Sequence, residues 1–498
     1  MKLNISNSNL SQISRFIELN FALNYPKERW DILERSILSA AKESGYQDTE
    51  KFIRHITSSP VTHENIEILV LNLTVNETYF WREPLVFKAL ENKIIPELTE
   101  TYKQNEKRIR VWSAGCSTGE EPYSIAIAIK RAVPDIDNRN ISILANDINA
   151  KMLQKAFLGV YGQWSFRNSP HWLQEKYFIK NDDGKYEIVP EIKRMVTFKY
   201  LNLADGIYPS PLNNTNALDI IFCRNVLMYF SQRHSKKIIK QLYNSLSEGG
   251  YLIVSASELS IDNFKDFVPV NIDGMVIYRK LSKKDKKHVT LTFDEAAPEI
   301  ELTKVPAVKV KHIEKEDVQY PDLDELKPEE QTNREKNISY NEILKLYVQG
   351  KYNDVINSIK DHPQTTDTQI LLIKAYANLG KFSEALSVCE KSIVTDKLNP
   401  ALHHLYATIL QENNQYNEAI TSLKRAVYLD PDFILSYFSL GNIYKRFGEI
   451  NKSIKSYKNA LSILDKYKQD EIIAESEGLT AGRFREIINT IIRTKEIP

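Results

Sequence analysis

The chain has 498 residues, 42% of them hydrophobic and 26% charged, which is enough for two to four domains with cores of their own. Its 66 basic residues face 65 acidic ones, which excludes nucleic-acid or membrane binding driven by overall charge. Three scattered cysteines, Cys116, Cys223 and Cys389, supply neither a disulfide framework nor a zinc cluster. The polar N-terminus MKLNISNSNL lacks the apolar core of a signal peptide, and no run of about 18 apolar residues occurs. The expectation is a cytoplasmic multidomain protein with no membrane insertion.

The first part of the chain reads as helical. ISRFIELNFAL and WDILERSILSAAKESG space their apolar residues at three and four, and Gly45 supplies a stop. HENIEILVLNLTV continues the pattern, and PLVFKALENKIIPEL opens with Pro84 at a first helical turn. The texture changes at residue 108. RIRVWSAGC reads as a strand, EEPYSIAIAIKRAV as a helix, ISILAND as a strand and INAKMLQKAFLG as a helix. FKYLNLAD and LDIIFCRN follow, then a helix around Gln232–Leu246, the strand GGYLIVSASE, and a hairpin FVPV/MVIYRK across NIDG. Alternating strands and helices predict a mainly parallel sheet covered on both faces, a Rossmann-like α/β domain. The alternation breaks at about 160–196, around a hairpin-like NDDG, which we read as a small inserted β subdomain.

Residues 283–337 run from KKDKK to DLDELKPEE with several prolines, the composition of a flexible charged linker. Beyond it KFSEAL (381–386), QYNEAI (415–420) and EINKSI (449–454) recur every 34 residues, with Ala385, Ala419 and Ser453 in one small-residue slot. GKYNDVI (350–356) is a looser earlier unit. This period resembles the tetratricopeptide repeat, an α-solenoid in which small residues let paired helices approach. RFREIINTIIRTK reads as a capping helix.

The chemistry concentrates in Ser113-Ala114-Gly115-Cys116-Ser117-Thr118-Gly119-Glu120-Glu121-Pro122-Tyr123, between a strand and a helix. Gly115 lets the backbone turn tightly and approach a ligand. The loop is neither GxGxxG nor a phosphate loop, and two glutamates at the helix start would repel a phosphate. They would also suit the helix dipole. Asp147 ends the second strand, 26 residues after Glu121, where an acid can accept both hydroxyls of a ribose; it could equally cap the next helix. Asn202 falls at the end of the third strand region, where a purine would lie, and Asn225 follows the fourth. Adenosine joined to a cationic group fits this set better than a pyrophosphate.

In order, Asn76-Glu77-Thr78-Tyr79-Phe80-Trp81-Arg82-Glu83, SAGCSTGEEPYSIA, ANDIN and FCRNVLMYF resemble the CheR-type chemoreceptor glutamate methyltransferases, over about residues 10–280. That resemblance implies S-adenosylmethionine as cofactor, S-adenosylhomocysteine as product, and methyl esters formed on glutamates of chemoreceptor cytoplasmic helices. It implies cofactor contacts from Asn76, Thr78, Arg82, Glu121, Asp147, Asn202, Leu203, Asn225 and Val226, beside Gly115. It places Arg82 and Tyr229 near the reaction centre, and reads Tyr79, Phe80 and Trp81 as packing between domains. No metal is required: a glutamate is already a carboxylate at pH 7 and needs no general base. The expected division is a helical substrate-recognition domain (1–83), a methyltransferase domain (84–282), the linker (283–337) and the repeats (338–498). Lys27, Arg29, Arg35, Lys42, Lys51 and Arg54 would offer a basic face to an acidic receptor. The repeats would recruit or regulate through a protein partner. The alternative reading is a catalytically silent, cofactor-binding scaffold or sensor.

Overall fold

The computed structural model describes residues 5–493 apart from 59–62, 75–76, 104–107, 135–140, 212, 261, 282–339, 361–364, 470 and 477–479. The linker reading over 283–337 therefore lies outside the described residues, as does Asn76.

Four helices open the chain: Asn7–Phe21, Trp30–Glu43, Thr49–Ser58 and His63–Leu73. Their apolar stripes meet in one core. Leu10, Ile13, Ile17 and Phe21 follow helical spacing and pack on Leu33, Ile37, Phe52, Ile53, Ile56 and Leu69. Each such side chain stabilises the fold by about 1.5–3 kcal/mol on burial. Gly45 takes φ +77 just past the second helix, as its stop signal requires. The segment read as PLVFKALENKIIPEL is Pro84–Ala89, a π turn Leu90–Ile94, and Ile95–Lys103. Pro96 explains the wide turn, because it has no N–H to donate back and its ring crowds the preceding carbonyl.

Among the described residues ten strands follow: β1 (Ile109–Ala114), β2 (Ile141–Asp147), β3 (Val160–Tyr161), β4 (Phe178–Lys180), β5 (Tyr186–Ile188), β6 (Val196–Tyr200), β7 (Leu218–Phe222), β8 (Leu246–Ile253), β9 (Val268–Ile272) and β10 (Met275–Arg279). Seven form one sheet in the order β6-β2-β1-β7-β8-β10-β9, parallel except for the β9/β10 hairpin at one edge. Alternation along β1 feeds both faces. Val111 joins the core under helix Glu120–Ala132, and Trp112 the core under helix Gln232–Ser245. β3, β5 and β4 form a separate antiparallel sheet, the inserted subdomain. Phe80 stacks on Phe166 (5.0 Å between centroids) and meets Tyr161 and Phe178 edge-on, so the aromatic run packs on that subdomain.

The repeat region has helix pairs Tyr340–Val348/Tyr352–Lys360, Thr366–Asn378/Phe382–Thr395, Pro400–Glu412/Tyr416–Leu429 and Ile434–Arg446/Ile450–Leu464, then Ala481–Arg493. Ala385, Ala419 and Ser453 are fully buried, as the small-residue slot predicts. The Ser453 hydroxyl also donates to the Gly441 carbonyl across its pair (2.9 Å). Pro400 begins the helix of the next unit, its fixed φ suited to a first turn.

Candidate functional site

The sheet order reverses between β1 and β7, and a cleft opens at the carboxyl ends of the strands there. Seven residues singled out from sequence line it: Gly115, Asp147, Asn202, Leu203, Asn225, Val226 and Tyr229. Thr78, Arg82 and Glu121 are not among its lining residues.

The floor is built from strained, hydrogen-bonded turns. Gly115 takes φ +84, and a Cβ added there would stand 2.5 Å from Val226 Cγ2, so two cofactor-side loops touch over a glycine. Asp147 accepts the Ser117 N–H (2.7 Å) and the Asn149 N–H (2.8 Å). Asn149, not Asp147, caps the following helix through Met152 N–H. Burial raises the Asp147 carboxyl above its ordinary pKa, and these backbone donors oppose the rise. The Ser117 hydroxyl oxygen is buried at the cleft without a partner, an open hydrogen-bonding position. Asn202 spends its side chain locally: its oxygen accepts Ala204 N–H and its nitrogen reaches Asp205 (2.6 Å) and the Asn20 carbonyl (3.3 Å).

Glu121 stands behind the floor. It accepts the Ser113 hydroxyl (2.8 Å) and an Arg224 N–H (3.1 Å). Arg224 also donates to the Arg82 carbonyl (2.8 Å) and approaches Glu83 (3.4 Å). One buried guanidinium thus ties the loop after β7 to the first helix of the sheet and to the Arg82–Glu83 segment. Burial raises the Glu121 carboxyl, and Arg224 lowers it. The Arg82 guanidinium itself donates to the Glu77 carbonyl (3.1 Å).

Sequence reasoning missed two features. Phe21, Leu23, Tyr25 and Leu73 of the helical region roof the cleft, joined to it by the Leu23–Phe230 bridge and by Asn24 N–H donating to the Tyr229 carbonyl (2.8 Å). Arg29, read only as part of a basic face, lies in the lining, 5.6 Å from the Tyr25 ring centroid. The second feature is Glu258, whose carboxylate accepts N–H groups from Asn225 (2.7 Å) and Val226 (2.8 Å). The SxxE pattern Ser255–Glu258 was the available signal, since it forms a capping box. Burial raises the Tyr229 phenol, while the nearby Arg29 and Arg82 charges lower it.

The residues present fit S-adenosylmethionine. The ribose position has an acid, the glycine leaves a cradle that a Cβ would fill, Ser117 offers an unpaired hydroxyl, and the roof is apolar. Residues 76–274 match the family model described as CheR methyltransferase, SAM binding domain. Residues 407–448 and 434–463 match models for the TPR repeat and the tetratricopeptide repeat. The chain is 34% identical over 260 residues to the chemotaxis protein methyltransferase of Borreliella burgdorferi, covering 52% of this chain and 90% of that protein. It is 34% identical over 223 residues to chemotaxis protein methyltransferase 1 of Pseudomonas aeruginosa, covering 43% and 77%. Over 260 residues it is 30% identical to the Cher2 methyltransferase of Pseudomonas putida, covering 51% and 90%. A glycine-cradled cleft and these matches lead to one conclusion: the chain belongs to the CheR family of S-adenosylmethionine-dependent methyltransferases and carries C-terminal tetratricopeptide repeats.

Proposed function

We propose that the protein transfers methyl groups to glutamate side chains of chemoreceptor cytoplasmic helices, as a protein-glutamate O-methyltransferase of chemosensory adaptation. The observation that carries this is Arg29 beside Tyr229 in the lining of the cleft. A cation in the lining of a cofactor cleft suits a carboxylate acceptor.

S-adenosylmethionine supplies an electrophilic methyl group on a sulfonium. Asp147 would receive the ribose, Gly115, Asn225 and Val226 would border the adenosyl moiety, and Asn202 and Leu203 would close its adenine side. Glu121 would act from behind, by holding Ser113 and Arg224. Thr78 and Arg82 would contribute from the segment that Arg224 anchors. A glutamate side chain, with an ordinary pKa near 4.3, is ionised at neutral pH and needs no proton removed. The chain's task is alignment and exclusion of water, for which Phe21, Leu23 and Leu73 provide an apolar roof. The helical region 1–83 would recognise the receptor, with Arg29 at the mouth of the cleft. The repeats would engage a protein partner.

The test is transfer of labelled methyl from S-adenosylmethionine to receptor cytoplasmic fragments. Alkali-labile label on glutamate, lost in Asp147→Ala, is the expected result. Cofactor binding without transfer to any receptor fragment would overturn it in favour of a silent scaffold.

A further inference from the structure

The repeats are not merely tethered to the enzyme. Each helix pair turns at one edge of the array, and all four turns meet the opposite end of the sheet from the cleft. At the first turn, a Cβ on Gly350 would run into the Asn244 side chain, at the end of helix Gln232–Ser245. Beside the second, the Ala377 carbonyl accepts the Asn216 amide (2.8 Å), and Gly380 faces Ala217, the residue before β7. At the third, Asn414 accepts from Arg108 (3.2 Å), just ahead of β1. At the fourth, Lys445 lies over the Phe157 ring (4.5 Å), near the end of helix Ala150–Leu158. Arg108, Asn216 and Ala217 sit just ahead of strands β1 and β7, and Asn244 and Phe157 lie in the last turns of helices.

The centre is a buried ion pair between Arg110 of β1 and Glu412, the last residue of helix Pro400–Glu412. Their side chains are 7% and 4% exposed. Arg110 also donates to the Asn214 carbonyl (3.3 Å) and the Asn216 side-chain oxygen (3.4 Å) and stands over the Phe382 ring (5.8 Å). The Asn214 amide, oriented with its nitrogen toward Glu412, donates to the second carboxylate oxygen (3.1 Å). Charges this deeply buried persist only when matched: Glu412 has its cation in the other half of the chain, and Arg110 has Glu412 there beside Asp219 of β7, whose carboxylate accepts the Arg110 backbone N–H (2.8 Å).

We propose that the repeat array is an integral, docked part of the enzyme, held along the amino-terminal edge of the methyltransferase sheet by its inter-helix turns, with Arg110–Glu412 as the hot spot. The surface fits one partner, the chain's own repeats.

The test uses the full-length protein with a single protease site placed between residues 300 and 320. After cleavage, the two halves are expected to co-elute in size-exclusion chromatography at micromolar concentration. Glu412→Lys should weaken their association roughly 30-fold or more, so the halves elute apart, whereas Glu418→Lys, the same change at an exposed site of the next helix, should leave them together. Circular dichroism and S-adenosylmethionine binding of uncleaved Glu412→Lys check that both halves remain folded. Glu412→Gln, which keeps shape and removes charge, should show an intermediate loss. Halves of the unmodified protein that separate on cleavage would overturn the proposal, and so would halves of Glu412→Lys that stay together.

Discussion

Glu258 holds Asn225 by its backbone: the carboxylate accepts the Asn225 N–H at 2.7 Å and the Val226 N–H at 2.8 Å, while Asn225 sits at φ 57. A non-glycine residue in that left-handed region costs energy, and a buried charged acceptor offsets the cost. Glu258 positions the cofactor loop without lining the cleft. Glu258→Gln places an amide N–H₂ against N–H donors. We expect S-adenosylmethionine affinity to fall about 10- to 100-fold with the fold retained, since hydrogen bonds to charged groups contribute about 1.5–3 kcal/mol. Calorimetric titration checks this, with Glu258→Asp as the partial rescue.

Asp147→Asn should separate the acid's two duties. The amide oxygen can still accept one backbone N–H, so thermal stability should change little, while cofactor affinity falls at least about 10-fold through the lost charge-assisted bonds. Equal affinity in the two proteins would remove Asp147 from the binding set.

Gly115→Ala should abolish methyl transfer, because the new Cβ meets Val226 Cγ2 at 2.5 Å. Adding Val226→Ala clears that atom but leaves a non-glycine residue at φ +84, so recovery should be partial. Initial rates of the single and double variants decide it.

Arg224→Met tests the buried knot through pH. The Glu121 carboxyl is already raised above its ordinary pKa by burial, and Arg224 pulls it back. Without Arg224 it rises further, so its native form prefers to be protonated. A raised acid contributes most to stability below its unfolded pKa and loses that contribution as pH rises through the folded value. The variant should therefore lose most melting temperature near pH 7.5 and progressively less toward pH 5. A deficit that is constant with pH would argue against the ion pair as the cause.

Arg29→Glu should raise the KM for a receptor fragment about 10-fold at low salt while cofactor affinity changes less, and the difference should shrink as ionic strength rises. Arg35→Glu is the control, since Arg35 already pairs with Asp31 on the same helix (3.1 Å).

How far the sequence can be read depends on sequence distance. Gly115, Asp147 and Asn225 were legible because each ends or follows a strand with its own local signature, and a parallel sheet gathers such ends in one place. The 34-residue period was legible for the same reason: each buried small residue answers to a neighbour in its own or the next helix. Arg29 was ambiguous, since whether a basic residue of a helical face reaches a cleft depends on how two domains meet. Glu121 and Arg82 illustrate the converse, motif residues set behind the lining by one arginine that no local pattern marks. Arg110 and Glu412 are 302 positions apart, and each reads alone as an ordinary charge in a strand or helix.

Docking through successive turns has a consequence for how such a protein can change. A free solenoid can gain or lose a unit at little cost, since each unit touches only its neighbours. Here the first turn abuts Asn244 and the fourth abuts Phe157, on either side of the two central strands. The array spans the parallel strands from the entry to β8 to the helix beside β2. Inserting one 34-residue unit between the second and third would carry Glu412 away from Arg110 by a helix pair and remove the cation that faces it. In this chain the position of the repeats along the sheet is therefore a dimension of the enzyme, and a natural variant with a different number should have altered the residues at positions 110 and 412 together.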